Sequence, residues 1–191
     1  MRQGRMFFWC VILTSAIAVP EAFCQAAPIQ KIHVTDSIDY AIPAGSPVKF
    51  ASIEHYNTAN FSGQFTLNGT YHYGYVTNDP EADSSYGILF LFFVPDRDIL
   101  VRLPYWDRQG KIDDLEFANS KEFAAAVIPK DKLKLLQDRK LFSVSGRASV
   151  LVESYQISID CDHATSFVKF IKVNAAPSVL ASHNLISPLG C

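Results

Sequence analysis

Asp160-Cys161-Asp162-His163 is the densest run of chemically capable side chains in this chain. A thiol beside an imidazole offers a nucleophile with its base, and carboxylates beside an imidazole offer acid–base or cation-holding groups. A nucleophilic thiol needs a base pressed against the sulfur by the fold. Here Cys161 ends an alternating segment, so half of a disulfide followed by a turn is the competing reading. The remaining histidines, His33, His55, His72 and His183, are scattered, and no HExxH spacing occurs. A zinc site needs three or four convergent ligands, so no metal and no cofactor is read from the sequence. His72 alternates with tyrosines and reads as a structural or solvated histidine. Asp79, Glu81 and Asp83 have the charge of a calcium loop. Counting from Asp79, however, positions six and twelve hold Ser84 and Phe90 instead of Gly and Glu. That stretch reads as a solvated turn.

No GxSxG, GxGxxG or phosphate-loop pattern is present. Asp113-Asp114 is a carboxylate pair, but a glycosidase pair is defined by a separation in space. Binding candidates are clearer than catalytic ones. Pro104-Tyr105-Trp106-Asp107, flanked by Arg102 and Arg108, reads as an aromatic and cationic loop. Arg102, Tyr105, Trp106 and Arg108 are therefore a candidate contact surface. A tryptophan folded back over the core is the alternative. Tyr71, Tyr73 and Tyr75 could stack on sugars or bases, but they share parity with Phe65 and Leu67, which assigns them to the core face. Asn60-Phe61-Ser62 and Asn68-Gly69-Thr70 match the glycosylation sequon.

The elements that must position these groups are mostly strands. From Phe61 to Val76, apolar or glycine residues occupy every odd position. Asn68-Gly69 suggests a hairpin there. Folding at that point would pair Leu67 with Thr70 and Phe65 with His72, mixing both faces. One long strand bent at Gly63 and Gly69 keeps the rings together, since a flat strand of this length would reach about 50 Å. Tyr86–Val94 is apolar at nearly every position and reads as a central strand covered on both faces. Ile99 to Leu103 reads as a short strand. Ser143–Cys161 alternates with a phase slip near Val152–Ser154, which predicts a bulge or a sharp bend. Phe167–Val173 is a further strand, and Ser46–Tyr56 and Lys31–Val34 are weaker ones. Helical spacing is confined to 119–139. There Asn119 and Glu122 have capping-box spacing and Pro129 separates two short helices.

The first residues set the compartment. Arg2 and Arg5 precede an uncharged run, Met6–Val19, that is followed by Pro20 and small residues. This is the layout of a secretory signal peptide, and the run is shorter than the roughly 20 residues of a spanning helix. Cleavage after Ala26 is favoured over cleavage after Ala18, and Glu21 argues against a lipoprotein cut before Cys24. The expected leader is then 1–26 and the domain 27–191, with Cys161 and Cys191 left as an even pair in an oxidising compartment. Their disulfide would stabilise the fold by about 3.7 kcal/mol in the chain-entropy model.

The whole chain has 191 residues, 49% hydrophobic and 19% charged, with a formal net charge of −2. Such a chain is too apolar for disorder and lacks the basic stripe of a nucleic-acid binder. The reading is a single, mainly β domain: an antiparallel sheet curled into a small barrel or sandwich, with one or two short helices in 119–139. Glycine-bent strands with a helix between later strands make it loosely similar to the small oligonucleotide/oligosaccharide-binding barrels. That likeness implies a fold and no function. Export, a strand-rich core and no catalytic signature point to a secreted or periplasmic, non-catalytic binding module for a protein or envelope-glycan ligand, with no membrane contact after cleavage. The alternatives are a small secreted hydrolase using the Asp160–His163 region and an enzyme-inhibitor or immunity-type module binding through Tyr105–Arg108. Intact mass of the exported protein is expected to correspond to residues 27–191, with two hydrogens gained on reduction. A mass retaining Cys24 would overturn the pairing.

Overall fold

The two longest alternating stretches of the chain, 61–76 and 143–160, form strands. A computed structural model describes residues 29–35, 37–76, 88–110, 112–184 and 186. The expected leader 1–26, the Asp79 turn and Cys191 lie outside the described residues. The strands are β1 (Ile29–Thr35), β2 (Ile38–Pro43), β3 (Lys49–Glu54), β4 (Thr58–Val76), β5 (Ile88–Pro95), β6 (Tyr105–Trp106), β7 (Glu116–Phe117), β8 (Ser143–Asp160), β9 (His163–Ala175) and β10 (Leu180–Ser182). The helices are α1 (Arg97–Leu100), α2 (Ser120–Val127) and α3 (Lys130–Gln137).

The fold is mainly β and is built on β4 and β8, paired antiparallel from Thr58–Ser158 to Gly74–Ser143. The free edge of β4 carries β3 at one end and β5 at the other. The free edge of β8 carries β9 and, near its start, β10. The short β7 runs parallel to β9. A second sheet has the order β1-β2-β6. Among the described residues the strands form a larger, curled sheet and a small second one, in keeping with the expected curled sheet or sandwich; the barrel alone is corrected, because the larger sheet does not close. At its seam a single bridge joins Phe93 of β5 to Leu115 (Phe93 N to Leu115 O 3.0 Å, Leu115 N to Phe93 O 2.8 Å). The reason is local: past Leu115 the chain turns to pair with β9 instead of following β5.

The long strand bends where its register shifts, between Phe61 and Gln64. Gly63 there has φ +146°, a conformation side chains rarely adopt. At Gly69 pairing with β8 runs on without a register shift. This position is glycine because a Cβ would collide with the Val94 carbonyl where β5 ends. The phase slip expected in β8 is present as a bulge at Ser154, whose φ is +57°. As the same-face rule requires, Tyr71 and Tyr73 are buried and His72 lies on the opposite side. Partial burial holds the His72 imidazole below its ordinary pKa.

Four other expectations fail for identifiable reasons. Ile99 to Leu103 is not a strand. Its first residues form α1, and buried Ile99 and Leu103 are four apart, a helical spacing that also satisfies alternation. Tyr105–Trp106 is not in a loop but forms β6 beside Tyr40 and Ala41 of β2. Asn119 caps no helix with its side chain. Instead its amide pairs with the Phe170 backbone, Nδ2 to O at 2.9 Å and Oδ1 from N at 2.8 Å, and so fastens α2 to β9. Finally, β5 buries Leu91 and Phe93 but leaves Leu89, Phe90 and Phe92 partly open, so it is not covered on both faces. Its apolar outer residues include a stacked pair, Phe90 and Phe92, with ring centroids 5.7 Å apart.

Phe123 of α2 is fully buried and meets the rings of Tyr71, Phe93, Phe117 and Phe170. It fills the inside of the curled sheet, touching residues from β4, β5, β7 and β9. Phe123→Ala is expected to cost about 3–5 kcal/mol, read as a lower denaturant midpoint. A loss below about 1 kcal/mol would show that the ring cluster does not hold the sheet in its curl.

Candidate functional site

Of the four contact residues expected from the sequence, Trp106 and Arg108 lie together and Arg102 lies apart. Arg102 is exposed and its Nε donates to the Asp98 carbonyl at 3.0 Å. Tyr105 is half-buried. Trp106 is 3% exposed, so it belongs to the core and cannot be the aromatic anchor of a contact loop. Its Nε1 is buried with no hydrogen-bond partner among the described residues. The Arg108 guanidinium lies over its ring, 6.0 Å from the centroid. Trp106 and Arg108, with Ser37, Asp39 and Asp107, line an open depression of about 370 Å³. Its carboxylates are already engaged: Lys31 Nζ lies 2.6 Å from Asp107 and His33 Nδ1 2.7 Å from Asp39. Arg102 is not among the residues lining it.

Cys161 is exposed at the β8–β9 turn, with φ +56°. It has no disulfide partner among the described residues, and its expected partner Cys191 lies outside them. Its Sγ is 3.7 Å from Asp160 Oδ1. Of the Asp160–His163 run, His163 lines a hollow.

That hollow is the more enclosed feature, a cleft of about 390 Å³ at the seam of the larger sheet. β5 contributes Phe92. The segment leading into β7 contributes Asp113, Asp114 and Glu116. The start of β9 contributes His163 and Thr165, and Gln109 closes one end. Each is placed by backbone. The Phe93–Leu115 bridge fixes the acidic segment against β5, so Phe92, Asp114 and Glu116 take the parity opposite to the buried Phe93, Leu115 and Phe117. Gln109 is held by its Oε1, which accepts from the Ala164 amide at 2.5 Å. Beneath the cleft, the Tyr155 hydroxyl bonds Ser166 Oγ at 3.0 Å and the Pro104 carbonyl at 2.7 Å. Full burial pushes that phenol's pKa up.

Burial raises the Asp114 carboxyl above its ordinary pKa. The neighbouring Asp113 charge adds to the rise, and His163 opposes it. Burial also raises Glu116, with Asp114 adding to it. No lysine or arginine lines the cleft among the described residues, and no three His, Cys, Asp or Glu side chains there are placed to hold a metal ion. The arrangement can accept hydrogen bonds from several directions beside an aromatic face. Sequence reading missed Phe92, Glu116 and Gln109. Phe92 was hidden in a uniformly apolar run, and the one available signal was its even parity relative to Leu91 and Phe93.

No protein-family model, curated protein or solved structure matches the chain. Among the described residues, no helix is long and apolar enough to cross a membrane.

The raised carboxyls carry a stability signature. Below about pH 4 both folded and unfolded chains hold these protons, and the groups contribute nothing. Between the ordinary and the raised pKa the folded state binds more protons, so stability falls as pH rises through that window. Asp114→Asn is therefore expected to raise the urea midpoint at neutral pH and to leave it unchanged in acid. A variant less stable than wild type at neutral pH would contradict the desolvation argument.

Proposed function

We propose that this protein is an exported, non-catalytic β module that binds a glycan in the seam cleft. One observation carries the reading: the half-exposed Phe92 ring lies among Gln109, Asp114, Glu116, His163 and Thr165. A sugar ring offers an apolar face and a rim of hydroxyls. An aromatic face surrounded by carboxylates, an amide and a hydroxyl complements both. The charge, apolar run and small residues of the N-terminus support export. In an oxidising compartment the exposed Cys161 is then bridged to Cys191. The protein-ligand alternative has less support, because the aromatic anchor at Trp106 is buried.

One observation favours a second reading, hydrolysis. Asp114 and Glu116 are both pushed toward neutral carboxyls in a cleft that also holds His163, a setting in which one carboxyl can act as an acid. Calorimetric titration with soluble oligosaccharides of N-acetylglucosamine and of glucose, coupled to a reducing-end assay, separates the readings. Binding without turnover is expected, weakened about tenfold (~1.4 kcal/mol) by Phe92→Ala. Turnover abolished by Asp114→Asn would replace binding with catalysis. The absence of sugar binding would overturn both.

A further inference from the structure

We propose that the seam cleft is one end of a groove that takes a linear oligosaccharide across the strands of the larger sheet, a reading that rests on glycan binding in the cleft. Strand register carries the argument. On the outer face one row of partners runs Ser52 of β3, Asn60 of β4, Gln156 of β8, Phe167 of β9 and Glu116 of β7. Glu116 lines the cleft. Asn60, Gln156 and Phe167 line a second hollow of about 320 Å³. Neighbouring strands lie about 4.8 Å apart, so Asn60 to Glu116 spans about 14 Å, more than one sugar ring covers. A parallel row, Thr58, Ser158 and Thr165, adds hydroxyls and also ends at the cleft.

The chemistry along the row suits an uncharged polyol. Asn60 Nδ2 donates to Ser52 Oγ at 3.3 Å, which orients the amide. Gln156 has no side-chain hydrogen bond among the described residues and has both donors and an acceptor to offer. Phe167 is half-exposed beside them. Lys169, at the rim, is neutralised by Glu153 at 2.9 Å.

The second hollow also coincides with a line of bulges. Registers shift at Ala51 in β3, at Ser62–Gly63 in β4 and at Ser154 in β8, and Ala51, Ser62 and Ser154 all line it. Bulges redirect side chains next to sites. Gly63 serves at one of these points, yet Ser154 adopts a left-handed φ of +57° that glycine would adopt without strain. Retaining serine there keeps a hydroxyl on the hollow's rim.

The test is chain-length dependence. Titration with N-acetylglucosamine and glucose oligomers, from monosaccharide to pentasaccharide, is expected to show affinity rising at least about tenfold with length. The Asn60→Ala/Gln156→Ala variant is expected to lose that gain and keep monosaccharide binding. Gln156→Ala alone, at a partly exposed site, is expected to lose part of it and guards against a folding defect in the double variant. Asp114→Asn is expected to weaken every oligomer. Affinity independent of length, or a gain that survives both variants, overturns the groove and leaves the cleft standing. No sugar binding at any length overturns both.

Discussion

Everything in this molecule hangs on one antiparallel ladder, β4 with β8. Every strand of the larger sheet but β7 pairs with one of these two, and β7 joins through β9. A one-residue slip would turn Phe65, Leu67, Tyr71 and Tyr73 to solvent and bring Gln64, Thr66 and His72 inside. Sterics reinforce the register. At Gly74 a Cβ would strike the Phe142 carbonyl, and at Gly146 the Ser178 carbonyl, so the ladder is held where the chain on its far side packs against backbone. The segment at Ser178 is tied in turn, with the Tyr71 hydroxyl 3.0 Å from its carbonyl and its Oγ 2.8 Å from the Arg147 amide. Because the side-chain period is two, the register that fixes the core also fixes which residues face out. The row of Asn60, Gln156 and Phe167 is therefore a consequence of burying Phe61, Tyr155 and Val168.

How much of this was legible follows from range. Period-two alternation is local, so β4, the bulge in β8, the helical region and the burial of Tyr71 could be read directly. Ile99 to Leu103 failed because buried residues four apart fit both a strand and a helix turn. The cleft was not legible because its members come from β5, from the segment before β7 and from the start of β9, and no local pattern links Phe92 to Glu116. Asn119 illustrates the same limit. Its spacing to Glu122 is that of a cap, but the carbonyl and amide of Phe170, 51 residues away, compete for its side chain and win. For Trp106 the sequence left contact loop and core as alternatives, and a long-range pairing decides between them: Tyr105 and Trp106 join β2, which turns a loop sequence into a strand and buries the indole.

The distribution of charge separates the two hollows near Gln109. In the open depression every carboxylate has a nearby partner, Lys31 or His33. Such exposed pairs contribute little to stability, and they leave little unmet demand for a ligand. In the seam cleft, Asp114 and Glu116 are partly desolvated; the Asp113 charge adds to the rise at Asp114 and the Asp114 charge to that at Glu116, while His163 and a backbone hydrogen bond oppose it at Asp114. On the glycan reading, hydroxyl donors would meet carboxyls there that no lysine or arginine of the lining pairs.

Curvature then accounts for why the cleft exists. A flat sheet would carry β5 and β9 apart on either side of β4 and β8. Here the registers of β4 and β8 shift at Ser62–Gly63 and Ser154, and Phe123 of α2 meets both Phe93 of β5 and Phe170 of β9 on the inside. Full closure would need a strand long enough to pair with both. Instead the chain bridges β5 at Leu115 alone and then joins β9 for two residues. The unfilled remainder of that seam is the cleft. On the outer face, Asn60, Gln156 and Ser154 line the second hollow where the registers of β3, β4 and β8 shift.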